Sequence, residues 1–467
     1  MFDVNFLTLY IESTQMPDGN LKAYPAPEGA KLSDDYRIKV NGTPVDVYRG
    51  EIYDQTMSPP FGGPYSFAYF DFSGTVEVEV ESTKQWLRDV VIRPESKGVS
   101  PTHVYRGNMK FNLTEAPSYL SIEPDAKHGP LLLFANALET SAPAPTDVGV
   151  KYFGPGLHQA GAIELTDNET LYIAGGAVVR GGVHAKGRNI KILGRGIIDG
   201  LKFPWFQGPT NTIIDLDHCE DVMIDGIVVK DGWGWNLNMR GCRNVTVRNF
   251  KLVALHCMNN DGIDICNTRD VLIEDSFIRS EDDCIAIKGF GFADRQVVDN
   301  VLVRRTSLWN DRAHVWRIGC ECRTEAMRNI TFRDIDVLHY VTNYWNCDDL
   351  PTCVSLQPAE DMPLEDILFE DIRINHEGQE WVFEIMPKMT QWAEKKTLGR
   401  IRNCTFRNIS LNGTFLGNYG KIKLHGPDPE HTVENVTFEN VVRHGKITRK
   451  DSPSVEVSGH TKGIVFR

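Results

Sequence analysis

A pattern repeated nine times from residue 189 onwards restricts the fold more than any other feature. Each copy opens with Asn or Asp, alternates apolar with variable residues, and adds a second short apolar pair a few residues on. The copies start at Asn189 (NIKILGRGI), Asp221 (DVMIDGIVV), Asn244 (NVTVRNFKL), Asp270 (DVLIEDSFI), Asn300 (NVLVRRTSL), Asn329 (NITFRDIDV), Asp366 (DILFEDIRI), Asn403 (NCTFRNISL) and Asn435 (NVTFENVVR). Their spacing runs from 23 to 37 residues, about 31 on average. Strict alternation is a strand signal, since a helix would place apolar residues at i, i+3 and i+4. One unit cannot bury its apolar edge alone, whereas stacked units share a continuous core. Residues 148–467 are therefore read as a parallel β-helix, with variable loops on one side. Leucine-rich repeats are the rival, but they need a denser Leu pattern. The Asn or Asp at each start suits a tight corner, where such side chains bond local backbone and tolerate left-handed geometry. The N-x-S/T strings at Asn244, Asn329, Asn403 and Asn435 follow this register and are read as corners rather than glycosylation sites.

The first 140 residues read differently. Short alternating segments at 36–40, 45–48, 66–72, 76–80, 90–93 and 109–113 predict strands of a β-sandwich. Asn41-Gly42 marks a hairpin, with a loop expected to run on through Pro44. The apolar run 130–138 predicts a buried strand and is too short for a membrane span. Residues 141–147, SAPAPTD, form a Pro-rich linker. The expected division is a sandwich over 1–142 and a β-helix over 148–467, with the sandwich capping the first coil.

Composition narrows the partners. With 50 Lys and Arg against 63 Asp and Glu, the net charge is −13, which disfavours nucleic acid. All ten cysteines fall between Cys219 and Cys404, without zinc or CxxC spacing, and are read as buried thiols. Cys347 and Cys353 could pair in an oxidising compartment. The start, MFDVNFLTLYIES, has no basic n-region and no small-residue cleavage site. A cytoplasmic location is expected from it, or a secreted or periplasmic one if a leader was removed.

Two stretches depart from the plain repeat: Asn259-Asn260-Asp261-Gly262-Ile263-Asp264, and Glu281-Asp282-Asp283-Cys284-Ile285-Ala286-Ile287-Lys288-Gly289. Asp261 and Asp282 are 21 residues apart, close to one coil, and His314 follows Asp283 by 31. Stacked coils lie ~4.8 Å apart, so these residues should line one face within about 10 Å. Crowded carboxylates share protons, because like charges raise one member's pKa. A protonated acid beside an ionised base is what glycosidic cleavage requires. No DxDxDG calcium loop is present, and no metal or cofactor is expected.

NNDGID followed by DDCIAIKG resembles the polygalacturonases, glycoside hydrolase family 28, over residues 175–337. That family carries Asn-x-Asp, Asp-Asp, Gly-His-Gly and Arg-x-Lys motifs on a right-handed parallel β-helix. The resemblance implies an inverting glycoside hydrolase acting on a poly- or oligosaccharide. Asp282 would be the general acid, and Asp261 and Asp283 would hold and deprotonate the water. Asn259 would position Asp261, and Lys288 would lie near the substrate. Asp264 reads as a structural corner. The third motif here is Ala313-His314-Val315, without its glycines, and the fourth is missing, its place taken by the insertion after His339. Arg and Lys of that motif receive the sugar carboxylate in the family; Arg312 and Arg317 beside His314 are candidate substitutes.

The layout also resembles the dextranase and isopullulanase family 49, which joins a β-sandwich to such a helix and acts on neutral α-glucans. Trp233, Trp235, Trp316 and Trp345 are candidate rings for sugar faces. The expected substrate is accordingly pectic or of α-glucan type. Two alternatives are a non-catalytic carbohydrate-binding β-helix, which would release no reducing ends, and a polysaccharide lyase, which would leave unsaturated ends.

Overall fold

The structure is a computed structural model and describes residues 20–52, 63–125, 127–292, 294, 296–340, 352–374, 381–413 and 420–467. From Val150–Phe153 to Val465–Phe466, 29 strands form one continuous hydrogen-bonded set. Almost every pairing joins a strand to its equivalent in the next coil, in parallel: Val245 opposes Val271, Leu252 opposes Ile278, and Ile263 opposes Ile285. The chain is a right-handed parallel β-helix with a β-sandwich before it. Among the described residues the one helical element is a 3-10 turn at Glu95–Lys97.

The nine repeat starts explain how the coil turns. All of them adopt left-handed backbone, with φ between 54° and 59°. Their side chains bond from coil to coil: Asn244 Nδ2 donates to Asp221 at 2.6 Å, Asn300 to Asp270 at 2.8 Å, and Asn403 to Asp366 at 3.0 Å. Only Asn and Asp combine this backbone tolerance with a side chain short enough to reach a like neighbour one coil away. Five residues further on a second corner repeats the device, with Asn408 and Asn440 bonding Asp371 and Asn408 at 2.9 Å. Inside, the alternating apolar residues stack in columns. Phe332, Phe369, Phe406, Phe438 and Phe466 form one, with neighbouring ring centroids 4.5–5.2 Å apart.

The sandwich consists of a six-stranded sheet around Gly63–Ser73 and Leu131–Ala137, and a five-stranded sheet around Val76–Ser82. The hairpin at Asn41-Gly42 is tighter than expected. Val40 pairs directly with Thr43, both turn residues have positive φ, and Pro44 lies within the edge strand Thr43–Val45. The alternation in Gly63–Ser73 has a double purpose. Ala68, Phe70 and Phe72 face the sandwich interior, while Tyr65, Phe67 and Tyr69 face the β-helix. There they meet Val178, Ile197, Val228, Val253, Phe277, Trp309 and Leu338, one residue from each of several successive coils. The sandwich therefore lies along the flank of the helix and does more than cap its first coil. The nine described cysteines are buried and none forms a disulfide with another; Cys347 and Trp345 lie outside the described residues.

Candidate active site

Strand register brings the motif residues together. Ile263, Ile285 and Trp316 oppose one another on three successive coils. Asp261, Asp283 and His314 each stand two residues before that row, so they share one line along the helix. Gly262 lets the coils close at this point, since a Cβ there would lie 2.3 Å from the Cys284 carbonyl oxygen. The carboxylates of Asp261, Asp282 and Asp283 offer oxygens within 4.8 Å of one another. A triad this tight could also share a cation. The ammonium of Lys288, 2.8 Å from Asp261 Oδ2, supplies positive charge there from within the chain.

The three acids differ in environment. Asp261 and Asp283 are buried, and Asp282 is only half-buried. Burial pushes the Asp282 carboxyl up, and the charge of Asp283 adds to the push. Burial alone would raise Asp283 as well. Its hydrogen bond with His314 Nδ1 at 2.9 Å, and the charges of His314 and Arg317, outweigh that and hold it below the ordinary carboxylate range. The His314 backbone N–H also donates to Asp283 Oδ1 at 3.1 Å. Burial drives Asp261 well up against the pull of Lys288, and Asp264, Asp282 and Asp283 reinforce the rise.

Several expected residues take other roles. Asn259 lines the groove in left-handed backbone, with φ 56°. The turn leading to Asp261 is held instead by Asn260, which donates to the Gly232 and Gly234 carbonyls at 2.8 and 2.6 Å and accepts from the His256 and Cys257 amides. Asn236 fixes Asp261 through its carbonyl at 2.7 Å. Arg312 is buried in an ion pair with Glu281. Arg317 Nη1 lies 3.4 Å from His314 Nδ1, and Arg317 donates at 3.2 Å to Gln357, which in turn donates to Glu384. Asp264 is not a corner residue: it lies in the strand Ile263–Cys266 and pairs with Lys288 at 2.7 Å.

Two of the expected sugar-facing rings are interior. Trp233 is fully buried, donates to the Thr210 carbonyl and packs on Phe203. Trp316 is fully buried against Phe332 and Phe369. Trp316 occupies an inward strand position, which excludes it from the surface. Trp235, two residues before the inward Leu237, lines the groove instead.

The groove has a volume of about 740 Å³. Its lips are aromatic: Trp205 and Phe206 on one loop, 44% and 55% exposed, and Trp392 on another, 55% exposed. Sequence patterns did not single these out, because they sit in loops between coils, outside the repeat. The Trp392 loop is anchored by Glu360, whose carboxylate accepts from the Glu394 and Lys395 amides at 3.1 and 2.9 Å. Opposite Lys288 the strand Trp316–Arg323 bulges at Gly319 and Cys320, both with positive φ, and this brings Cys320 and Glu321 to the wall.

Fold and site together define a β-helix with an acidic triad at the floor of an aromatic-lipped groove and a β-sandwich docked on its flank. Residues 183–292 match the model of glycosyl hydrolases family 28. That span contains both acid motifs and stops before His314. The chain is 24% identical over 229 residues to Polygalacturonase QRT2 of Arabidopsis thaliana, covering 40% of this chain and 51% of that protein. It is 24% identical over 340 residues to Polygalacturonase-2 of Solanum lycopersicum, covering 64% and 67%. The chain spans about half the length, or less, of several other curated polygalacturonases it matches. In three dimensions it resembles Dex49A from Penicillium minioluteum, with a TM-score of 0.67 at 15% identity, over 95% of this chain and 96% of that one. This second likeness extends the shared fold across the sandwich as well as the helix.

Proposed function

We propose that the protein is a glycoside hydrolase that cleaves an α-linked poly- or oligosaccharide with Asp261, Asp282 and Asp283. The observation that carries this is the split among three adjoining acids. Asp282 is pushed up and half-exposed, which suits a general acid protonating the glycosidic oxygen. Asp283, held down by His314, suits an ionised base, with Asp261 beside it to hold the attacking water. Expulsion of the alcohol and attack of water then occur in one displacement, inverting the anomeric carbon.

A double displacement is the second reading, and one observation favours it. Inverting carboxyl groups usually stand ~6.5–9.5 Å apart and retaining ones ~5–5.5 Å, and one oxygen from each of the three acids lies within 4.8 Å of the others, which sets the cluster nearer the shorter spacing. In that case Asp283 would be the nucleophile. The sugar itself is of pectic or α-glucan type. The groove cations favour the neutral choice, because Lys288, Arg312 and Arg317 already bond groups of the protein. The aromatic lips also suit uncharged pyranose faces.

A panel of pectic and α-glucan oligosaccharides, with proton NMR of the first product, tests these points together. New reducing ends of inverted anomeric form are expected. Retained configuration would move the mechanism to double displacement. Unsaturated ends, or binding without cleavage, would overturn the hydrolase reading.

A further inference from the structure

Lys288 was expected near the substrate, and its surroundings give it a different task. Its side chain is 5% exposed. An ammonium has three N–H donors. The nitrogen lies 2.8 Å from Asp261 Oδ2 and 2.7 Å from Asp264 Oδ1, and 3.7 Å from the centre of the Trp235 ring. Two donors thus meet carboxylates and the third faces a π surface, which attracts a cation. None is left for a sugar hydroxyl. The register explains the arrangement: Lys288 opposes Cys266 one coil back, so its side chain lies alongside Asp264 and reaches Asp261, while Trp235 stands one coil further back.

We infer that Lys288 is a positioning residue for Asp261, and that Asp264 sets how much of its charge Asp261 receives. This rests on Asp261 acting at the water. One cation serves two carboxylates on the same coil, so each weakens the other's hold on it. The acids acting on Asp261 and Lys288 are Asp264, Asp282, Asp283 and Glu321, and the nearby His314 and Arg317 act on Asp283. Lys288 is the cation in direct contact with Asp261, at 2.8 Å, which makes its ammonium decisive for that charge. Lys288 also pulls on Asp282 and Asp283, while Asp283 has His314 and Arg317 besides, so a residue-resolved carboxyl titration assigns the acidic limb of kcat/KM to Asp261.

The two neighbours should therefore act with opposite sign. Lys288→Met removes the positive charge and moves the acidic limb to higher pH, by about one unit or more. Asp264→Asn leaves the ammonium to Asp261 and moves the limb to lower pH. The double variant returns it towards the wild-type position, Lys288→Arg restores it in part, and KM is unchanged throughout. The carboxyl titration of Asp261 is followed in parallel by NMR of the full chain labelled with carbon-13 aspartate. It should shift in the same two directions. If the wild type cleaves none of the oligosaccharide panel, the hydrolase proposal falls while the titration still tests this one. If Lys288→Met folds poorly, Asp264→Asn carries the test alone, because it is isosteric. Shifts of the same sign in both variants would overturn the inference, as would a raised KM with an unmoved pH profile.

Discussion

Asp71→Ala should loosen the dock between the sandwich and the helix while leaving the groove intact. Asp71 lies on the strand Gly63–Ser73 and is fully buried. Its carboxylate accepts from Arg195 Nε at 3.1 and 3.2 Å, Tyr24 Oη at 2.8 Å, Asn136 Nδ2 at 3.1 Å and the Glu139 amide at 3.2 Å. Arg195 belongs to the β-helix and is itself buried, so alanine strands a guanidinium away from water. Breaking one side of a buried pair costs ~3–5 kcal/mol. The three other donors add about 1 kcal/mol each at most. A loss near 5 kcal/mol is large against a total of ~5–15 kcal/mol. Urea unfolding followed by near-ultraviolet circular dichroism would read it. Asp71→Leu with Arg195→Met removes both charges and should recover most of the loss, because a buried pair replaced by apolar residues is often neutral. Turnover by the folded fraction should not change. A midpoint within about 1 kcal/mol of wild type for Asp71→Ala would refute this account of the dock.

Three further expectations concern the solenoid and the site. Phe406→Ala cuts a column of stacked rings and should cost ~3–5 kcal/mol. In a quasi-linear fold the loss should be local: hydrogen exchange should rise over 400–467 and stay slow over 263–290. Trp392→Ala and Trp205→Ala should each raise KM roughly fivefold, at about 1 kcal/mol per aromatic face, with kcat kept. His314→Gln removes a bond to the Asp283 carboxylate worth ~1.5–3 kcal/mol, which lets that carboxyl rise towards its ordinary range. A depressed carboxylate adds stability above its unfolded pKa and loses it as the pH falls through its folded value. Acid unfolding should therefore begin at higher pH in this variant.

The sequence pattern exposed whatever repeats. Nine corner residues, the inward columns, and the line of Asp261, Asp283 and His314 all follow from a constant register between coils. What it did not expose depends on side chains leaving that register. Trp233 and Trp235 differ by two positions, yet one is core and the other lines the groove, since the chain between strands has no alternation to decide its facing. Arg312 was a candidate for a sugar carboxylate, but its partner Glu281 sits directly before the acid pair and became apparent only with the coils stacked. Lys288 lies in the strand Ile285–Phe290, which the repeat pattern did not mark, and its pairing with Asp264 depends on reach across one coil rather than on sequence distance. The flank docking of the sandwich was encoded in the second face of Gly63–Ser73, where aromatics on both sides betray a strand buried twice.

The most direct test of the central proposal is Asp282→Asn, assayed for release of reducing ends and for oligosaccharide binding by calorimetry on the same preparation. An amide cannot donate the acidic proton, yet it keeps the shape of the site. Turnover should fall ~100- to 10,000-fold, with binding and the unfolding midpoint retained. Turnover equal to wild type would show that this acid triad does not carry out the chemistry.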